Sequence, residues 1–126
     1  MTFRYVFIGL SLRSSWGNGH ATTYQSLLRA LVKRGHEVTF LERDHAPFAE
    51  HCEFDPAPWA ELGVYRSLAE LLERFAPIVR TADLVVVGSR VPDGIAVGKW
   101  ALDVASGRVA FYDIDTPVTL AALIAG

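Results

Sequence analysis

The 126 residues suffice for one domain with a buried core and fall short of two ordinary domains. Apolar residues make up 51% and charged residues 21%, which excludes a disordered chain, and a net charge of -2 without a basic stripe argues against nucleic acid as a partner. A lone cysteine, Cys52, excludes an internal disulfide and suits a reducing cytoplasm, while the apolar stretch at 3–12 is too short for a bilayer, which needs about 20 residues, and lacks a secretory cleavage signal.

Residues 3–10 are apolar and rich in aromatic and β-branched types, a first strand. After a polar, glycine-bearing loop comes a helical stripe of Tyr24, Leu27, Leu28, Leu31 and Val32, closed by Gly35 as a left-handed cap. Residues 37–41 read as a second strand. The segment 43–60, rich in Pro, His and aromatics, interrupts the pattern, with a short helix expected around 47–52 inside a long loop. A third strand follows at 62–65. Leu68, Leu71, Leu72, Phe75, Ile78, Val79 and Ala82 form the next helical stripe, opened by a Ser67–Glu70 capping box and expected to kink at Pro77. Residues 84–87 are apolar without alternation, as in a strand covered on both faces. A third stripe, Ile95, Val97, Trp100, Ala101 and Val104, runs between Asp93 and Gly107; a fifth strand occupies 108–112. Thr116 and Pro117 then open a last helix, and the ending reads as a cut through a larger protein.

Strand and helix alternate throughout, which implies βαβ units with right-handed crossovers. The expectation is one α/β Rossmann-like domain over 1–126, a parallel sheet of about five strands flanked by helices. With strand order 3-2-1-4-5, ligands bind beyond the carboxyl ends of the strands, between the loops after the first and fourth. Those loops are residues 11–20 and 88–94, joined by 112–116 after the fifth strand.

The first loop allows a dinucleotide reading, Gly17-x-Gly19-x-x-Thr22 with Glu42 to hold a ribose. It departs from that fingerprint twice: the third glycine is Thr22, and six residues separate Leu10 from Gly17. His20, at the start of the first helix, offers an imidazole that accepts a proton near neutral pH. Asp113, at the tip of the fifth strand, is the sensible carboxylate to orient it, and such a pair could deprotonate an acceptor hydroxyl. Capping or a loop hydrogen bond is the plain alternative for His20. Trp16 is the aromatic placed for sugar or acceptor stacking, and Arg90 stands where it could meet a phosphate or a sugar hydroxyl.

Asp113-x-Asp115-Thr116 also resembles the metal-binding pair of GT-A transferases and the nucleophile motif of haloacid-dehalogenase-like phosphatases. The phosphatase pattern wants a hydroxyl residue where Pro117 stands, and capping explains Asp115 and Thr116 without chemistry. His45, His51, Cys52 and Asp55 match no structural zinc spacing, and Cys52 has no nucleophile signature around it. Phe48, Phe54 and Trp59 read as loop anchors.

Gly17-Asn18-Gly19-His20-Ala21-Thr22-Thr23-Tyr24, Arg34-Gly35-His36-Glu37-Val38 and Leu41-Glu42-Arg43-Asp44 together resemble the N-terminal domain of GT-B fold glycosyltransferases. The segments at 88–94 and 111–117 are similar to bacterial glycosyltransferase-like proteins of the spore-maturation CgeB type. The resemblance spans essentially the whole chain. It implies the N-terminal, acceptor-side domain of a two-domain cytoplasmic transferase that moves a sugar from a nucleotide-sugar to an acceptor hydroxyl. His20 would take the place of the catalytic base and Asp113 or Asp115 that of its orienting acid. Trp16, Gly17, Asn18, Gly19, Ser89, Arg90 and Asp115 would contact a small-molecule or glycan acceptor. No metal or cofactor is implied beyond the donor, which binds mostly to a second Rossmann-like domain, so the isolated 126 residues should lack turnover. Two readings from other classes stand beside it: a non-catalytic binding module that kept the fold, and part of an NAD(P)-dependent oxidoreductase.

Overall fold

The computed structural model describes residues 2–12, 20–44, 61–114 and 116–125. Five strands, β1 (Arg4–Ile8), β2 (Glu37–Arg43), β3 (Glu61–Tyr65), β4 (Leu84–Gly88) and β5 (Arg108–Tyr112), form one sheet in the order β3-β2-β1-β4-β5. Every pairing is parallel: Val6 stands beside Thr39 and Val85, and Gly88 beside Tyr112. The helices are α1 (His20–Lys33), α2 (Leu68–Arg74), α3 (Ala76–Thr81), α4 (Gly94–Val104) and α5 (Thr116–Ala125). This is the Rossmann-like α/β architecture expected from the alternation of elements, with the expected strand order.

Side-chain alternation along the strands sorts the core into two layers. Phe7, Val38, Phe40 and Val86 pack on one face with Tyr24 and Leu28 of α1. Val6, Ile8, Leu41, Val85 and Val87 pack on the other with Leu71, Val79, Val97 and Ala101 of α2, α3 and α4. The split follows from handedness. A crossover from β1 outward to β2 and one from β4 outward to β5 run in opposite directions, so right-handedness puts their helices on opposite faces.

The helix ends explain themselves locally. Gly35 adopts φ 90, its N–H donating to Val32 C=O (2.9 Å) while His36 N–H donates to Leu31 C=O (3.2 Å), the paired bonds of a Schellman motif. Ser67 caps α2 by accepting from Glu70 N–H (3.2 Å), and the Glu70 carboxylate reaches back to accept Arg66 N–H (3.4 Å), one residue beyond the amide of the usual box. Around Pro77 the chain breaks instead of kinking. Phe75 (φ -108, ψ 4) ends α2 and opens α3, so the proline falls in a first turn, where its missing N–H leaves no helical bond unmade. Thr116 and Pro117 lie within the first turn of α5. The short helix expected around 47–52 lies outside the described residues.

Two glycines let α1 sit close to the sheet. A Cβ on Gly9 would run into the rings of Phe40 and Tyr24, and one on Gly88 would overlap the Tyr24 hydroxyl. The Tyr24 ring therefore crosses the sheet over β1 and β4, edge-on to Phe7, Phe40 and Tyr112 with centroids at 6.2, 4.9 and 5.9 Å.

Candidate functional site

The strand order reverses between β1 and β4, and beyond their carboxyl ends lies a ridge of buried polar groups. Ser11, His20, Glu42 and Ser89 are essentially inaccessible to solvent. Each is placed by a short piece of local structure. Ser11 and Leu12 continue β1 past Gly9, whose N–H donates to Leu41 C=O (3.1 Å). Glu42 shares a strand face with Val38 and Phe40, so the pleat turns its carboxylate inward toward α1. There it accepts the buried Leu12 N–H at 3.1 Å, and Gln25 Nε2 donates to the Leu12 carbonyl at 2.9 Å. Glu42 and Gln25 thus satisfy both backbone groups at the exit of β1, which the sheet no longer pairs.

Ser89 performs the same service beyond β4. Its N–H donates to Tyr112 C=O (2.9 Å), and its Oγ accepts Ile114 N–H (2.9 Å), tying the β4 exit to the β5 exit. Next to it, Arg90 (φ 63) and Asp93 (φ 58) both take left-handed conformations that cost a non-glycine residue about 1 kcal/mol or more each. The turn they frame directs Val91 into the core. Asp93 does not cap α4 with its side chain. Its carboxylate pairs instead with Arg43 at the end of β2 (3.2 Å), bridging from β2 to the loop after β4 on the α4 face.

Of the residues proposed from the sequence, His20 opens α1 and is fully buried, its ring 6.3 Å from that of Tyr24 one turn on. Asp113 directly follows β5 and is half-buried. Both neighbour one aromatic pair, because Tyr24 packs on Tyr112, the residue before Asp113. With no exposed surface on the imidazole, an acceptor hydroxyl reaches it only after the surrounding groups part. Ser89 and Arg90 stand on the same ridge, the serine buried and the arginine exposed. Trp16, Gly17, Asn18, Gly19 and Asp115 lie outside the described residues, as do His45, His51, Cys52 and Asp55. Among the described residues no three His, Cys, Asp or Glu side chains gather into a metal site.

Three features escape sequence reasoning. Glu42 enters it only as a ribose ligand, a role needing an accessible carboxylate; the structure buries it against the Leu12 amide. The signal is available, since a charge two residues beyond Val38 and Phe40 falls on the inward face. Tyr24 and Tyr65 have buried hydroxyls without a hydrogen-bond partner among the described residues. Burial, reinforced by nearby Tyr112, raises the Tyr24 phenol above its ordinary pKa. The Tyr65 phenol is pushed up to about 12, chiefly by burial; Arg43 opposes the rise, while Asp93 and Glu42 add to it. Both tyrosines therefore stay neutral through the physiological range. In the sequence Tyr24 is only one member of an apolar stripe.

No protein-family model, curated protein or solved structure matches the chain. Among the described residues no helix is long and apolar enough to cross a membrane.

Proposed function

We propose that this chain is the acceptor-side, N-terminal domain of a GT-B-like glycosyltransferase, with its acceptor at the ridge between the β1 and β4 exits. The observation that supports the reading is the gathering of His20, Glu42, Ser11 and Ser89 at the switch point of a 3-2-1-4-5 parallel sheet. The resemblance of the segments at 17–24, 34–38, 88–94 and 111–117 to that family supplies the chemistry. In this reading His20 takes the proton of the acceptor hydroxyl as it attacks the anomeric carbon of a nucleotide-sugar. Asp113 orients the imidazole and stabilises its charged form as the proton is taken. Glu42 is a positioning residue that fixes the backbone leading into the loop before His20. The donor binds mostly to a second domain, and Arg90 contacts the acceptor.

Titration followed by ¹H–¹⁵N spectra tests it. Simple sugars and glycosides should shift the Leu12, Ser89 and Ile114 amides, while UDP-, GDP- and dTDP-sugars should show no micromolar affinity for the chain. Micromolar nucleotide-sugar binding would place the donor site here and overturn the division of labour. Saturable binding of NADH, lost in Gly19→Val, would transfer the site to the dinucleotide reading.

A further inference from the structure

On the α4 side of the β4 exit, α4, β5 and α5 border an open groove of about 650 Å³, within the roughly 300–1,000 Å³ typical of small-molecule sites. Its walls include Ile95 and Leu102 of α4, Phe111 of β5 and Leu123 of α5, all well exposed. Gly94, Gly98 and Leu102, four residues apart, line it along one face of α4. At Gly94 and Gly98 an added Cβ would meet no atom within 4 Å, so the missing side chains leave the space open. The only charged side chains among the described lining residues are Arg90 and Lys99, both cationic. Arg90 is already engaged by other groups, whereas Lys99 makes no ion pair among the described residues.

An apolar trough with two cations on its lip selects for charge as well as for hydrophobicity. We infer that the α4–β5–α5 groove binds a single-chain amphiphile with an anionic head, its tail along Gly94, Gly98 and Leu102 and its head at Lys99. The tail gains by covering Ile95, Phe111 and Leu123, which otherwise face water. Lys99 lines the groove and is exposed, so its long stem can cover apolar surface while its ammonium meets the head. A neutral head would gain no charge pairing from Lys99, and a cationic head would be repelled by both lip residues. The groove shares Arg90 with the ridge, whereas Lys99, Gly98 and Leu102 belong to the groove alone.

Calorimetric titration of the 126-residue chain with dodecyl phosphate, below its micelle concentration, tests the inference. Saturable one-to-one binding is expected, with amide shifts at Gly94, Gly98 and Phe111. Dodecyltrimethylammonium and inorganic phosphate should each bind far more weakly. Gly98→Leu should abolish binding by filling the groove while circular dichroism shows the fold retained, as the open space around Gly98 allows. Lys99→Met should weaken binding about tenfold, the loss of one charge-assisted contact. Equal binding of the cationic amphiphile, or binding unchanged by Gly98→Leu, would mean detergent-like adsorption and overturn the inference. A light-scattering mass of twice 13.9 kDa, with no titratable groove, would give the surface to a second copy and overturn it equally.

Discussion

Gly88→Ala is the sharpest perturbation the structure offers, because its clash has one identified atom. The new methyl would overlap the Tyr24 hydroxyl, and Tyr24 is fully buried against Phe7, Phe40 and Tyr112, so it has nowhere to retreat. Overpacking a dense core typically costs about 1–3 kcal/mol, and the depth of this overlap places Gly88→Ala at the upper end. Tyr24→Phe alone should move stability by about 1 kcal/mol or less, since the hydroxyl it deletes makes no hydrogen bond among the described residues. In the double variant the nearest obstacle becomes the ring carbon Cζ, 3.1 Å from the methyl, a contact relieved by a shift of a few tenths of an ångström. The double variant should then recover about 2 kcal/mol relative to Gly88→Ala, a coupling well above the additive limit of about 0.5 kcal/mol. Urea unfolding of the four proteins at constant m measures it. Additive losses, with the double variant no more stable than Gly88→Ala, would refute the placement of the Tyr24 ring over β4.

Alkaline pH offers a second measurement. Tyr65 has a folded pKa of about 12 against 10.0 for the free phenol, so its contribution is complete below pH 10 and is lost as pH rises toward 12. The loss from Tyr65 should total about 2–3 kcal/mol, because each tenfold change in proton affinity is worth about 1.4 kcal/mol, and Tyr65→Phe should make that limb of a stability-versus-pH curve shallower, with Tyr24 accounting for the slope that remains. Glu42→Ala should destabilise by about 1–3 kcal/mol by stranding the buried Leu12 N–H, visible as a lower urea midpoint and faster exchange of that amide. Arg43→Ala should cost under about 1 kcal/mol by the same assay, because its partner Asp93 is 50% exposed. In an active transferase containing this chain, His20→Ala should slow the chemical step by about 10²–10⁴-fold and Asp113→Asn by less. Single-turnover kinetics would read both, and undiminished turnover without the imidazole would remove His20 from the mechanism.

Most of the sheet can be read from the sequence because each strand carries its own signal. The unbroken run at 84–87 needs cover on both faces, and the α1 layer on one side and the α3–α4 layer on the other supply it. Boundaries move where hydrogen bonding, not hydropathy, decides them: β2 runs on through Glu42 and Arg43 because both pair in register with β3. The break at Phe75 reads as a kink in the sequence because a proline inside an apolar period fits either outcome. The candidate site is less readable, for a physical reason. His20, Ser89 and Asp113 can be placed at the strand ends by counting along the chain. What Glu42 and Asp93 do depends on partners 30 and 50 residues away, Leu12 and Arg43, which no local pattern encodes.

The two bonds of Ser89 have a mechanical consequence. Backbone and hydroxyl of one residue clamp the turn after β4 to the residues on either side of Asp113, so those two exits move together or not at all. A ligand wedging in at the switch point therefore meets one coupled wall on the β4–β5 side, and displacing either exit there means breaking the bonds of Ser89 to both.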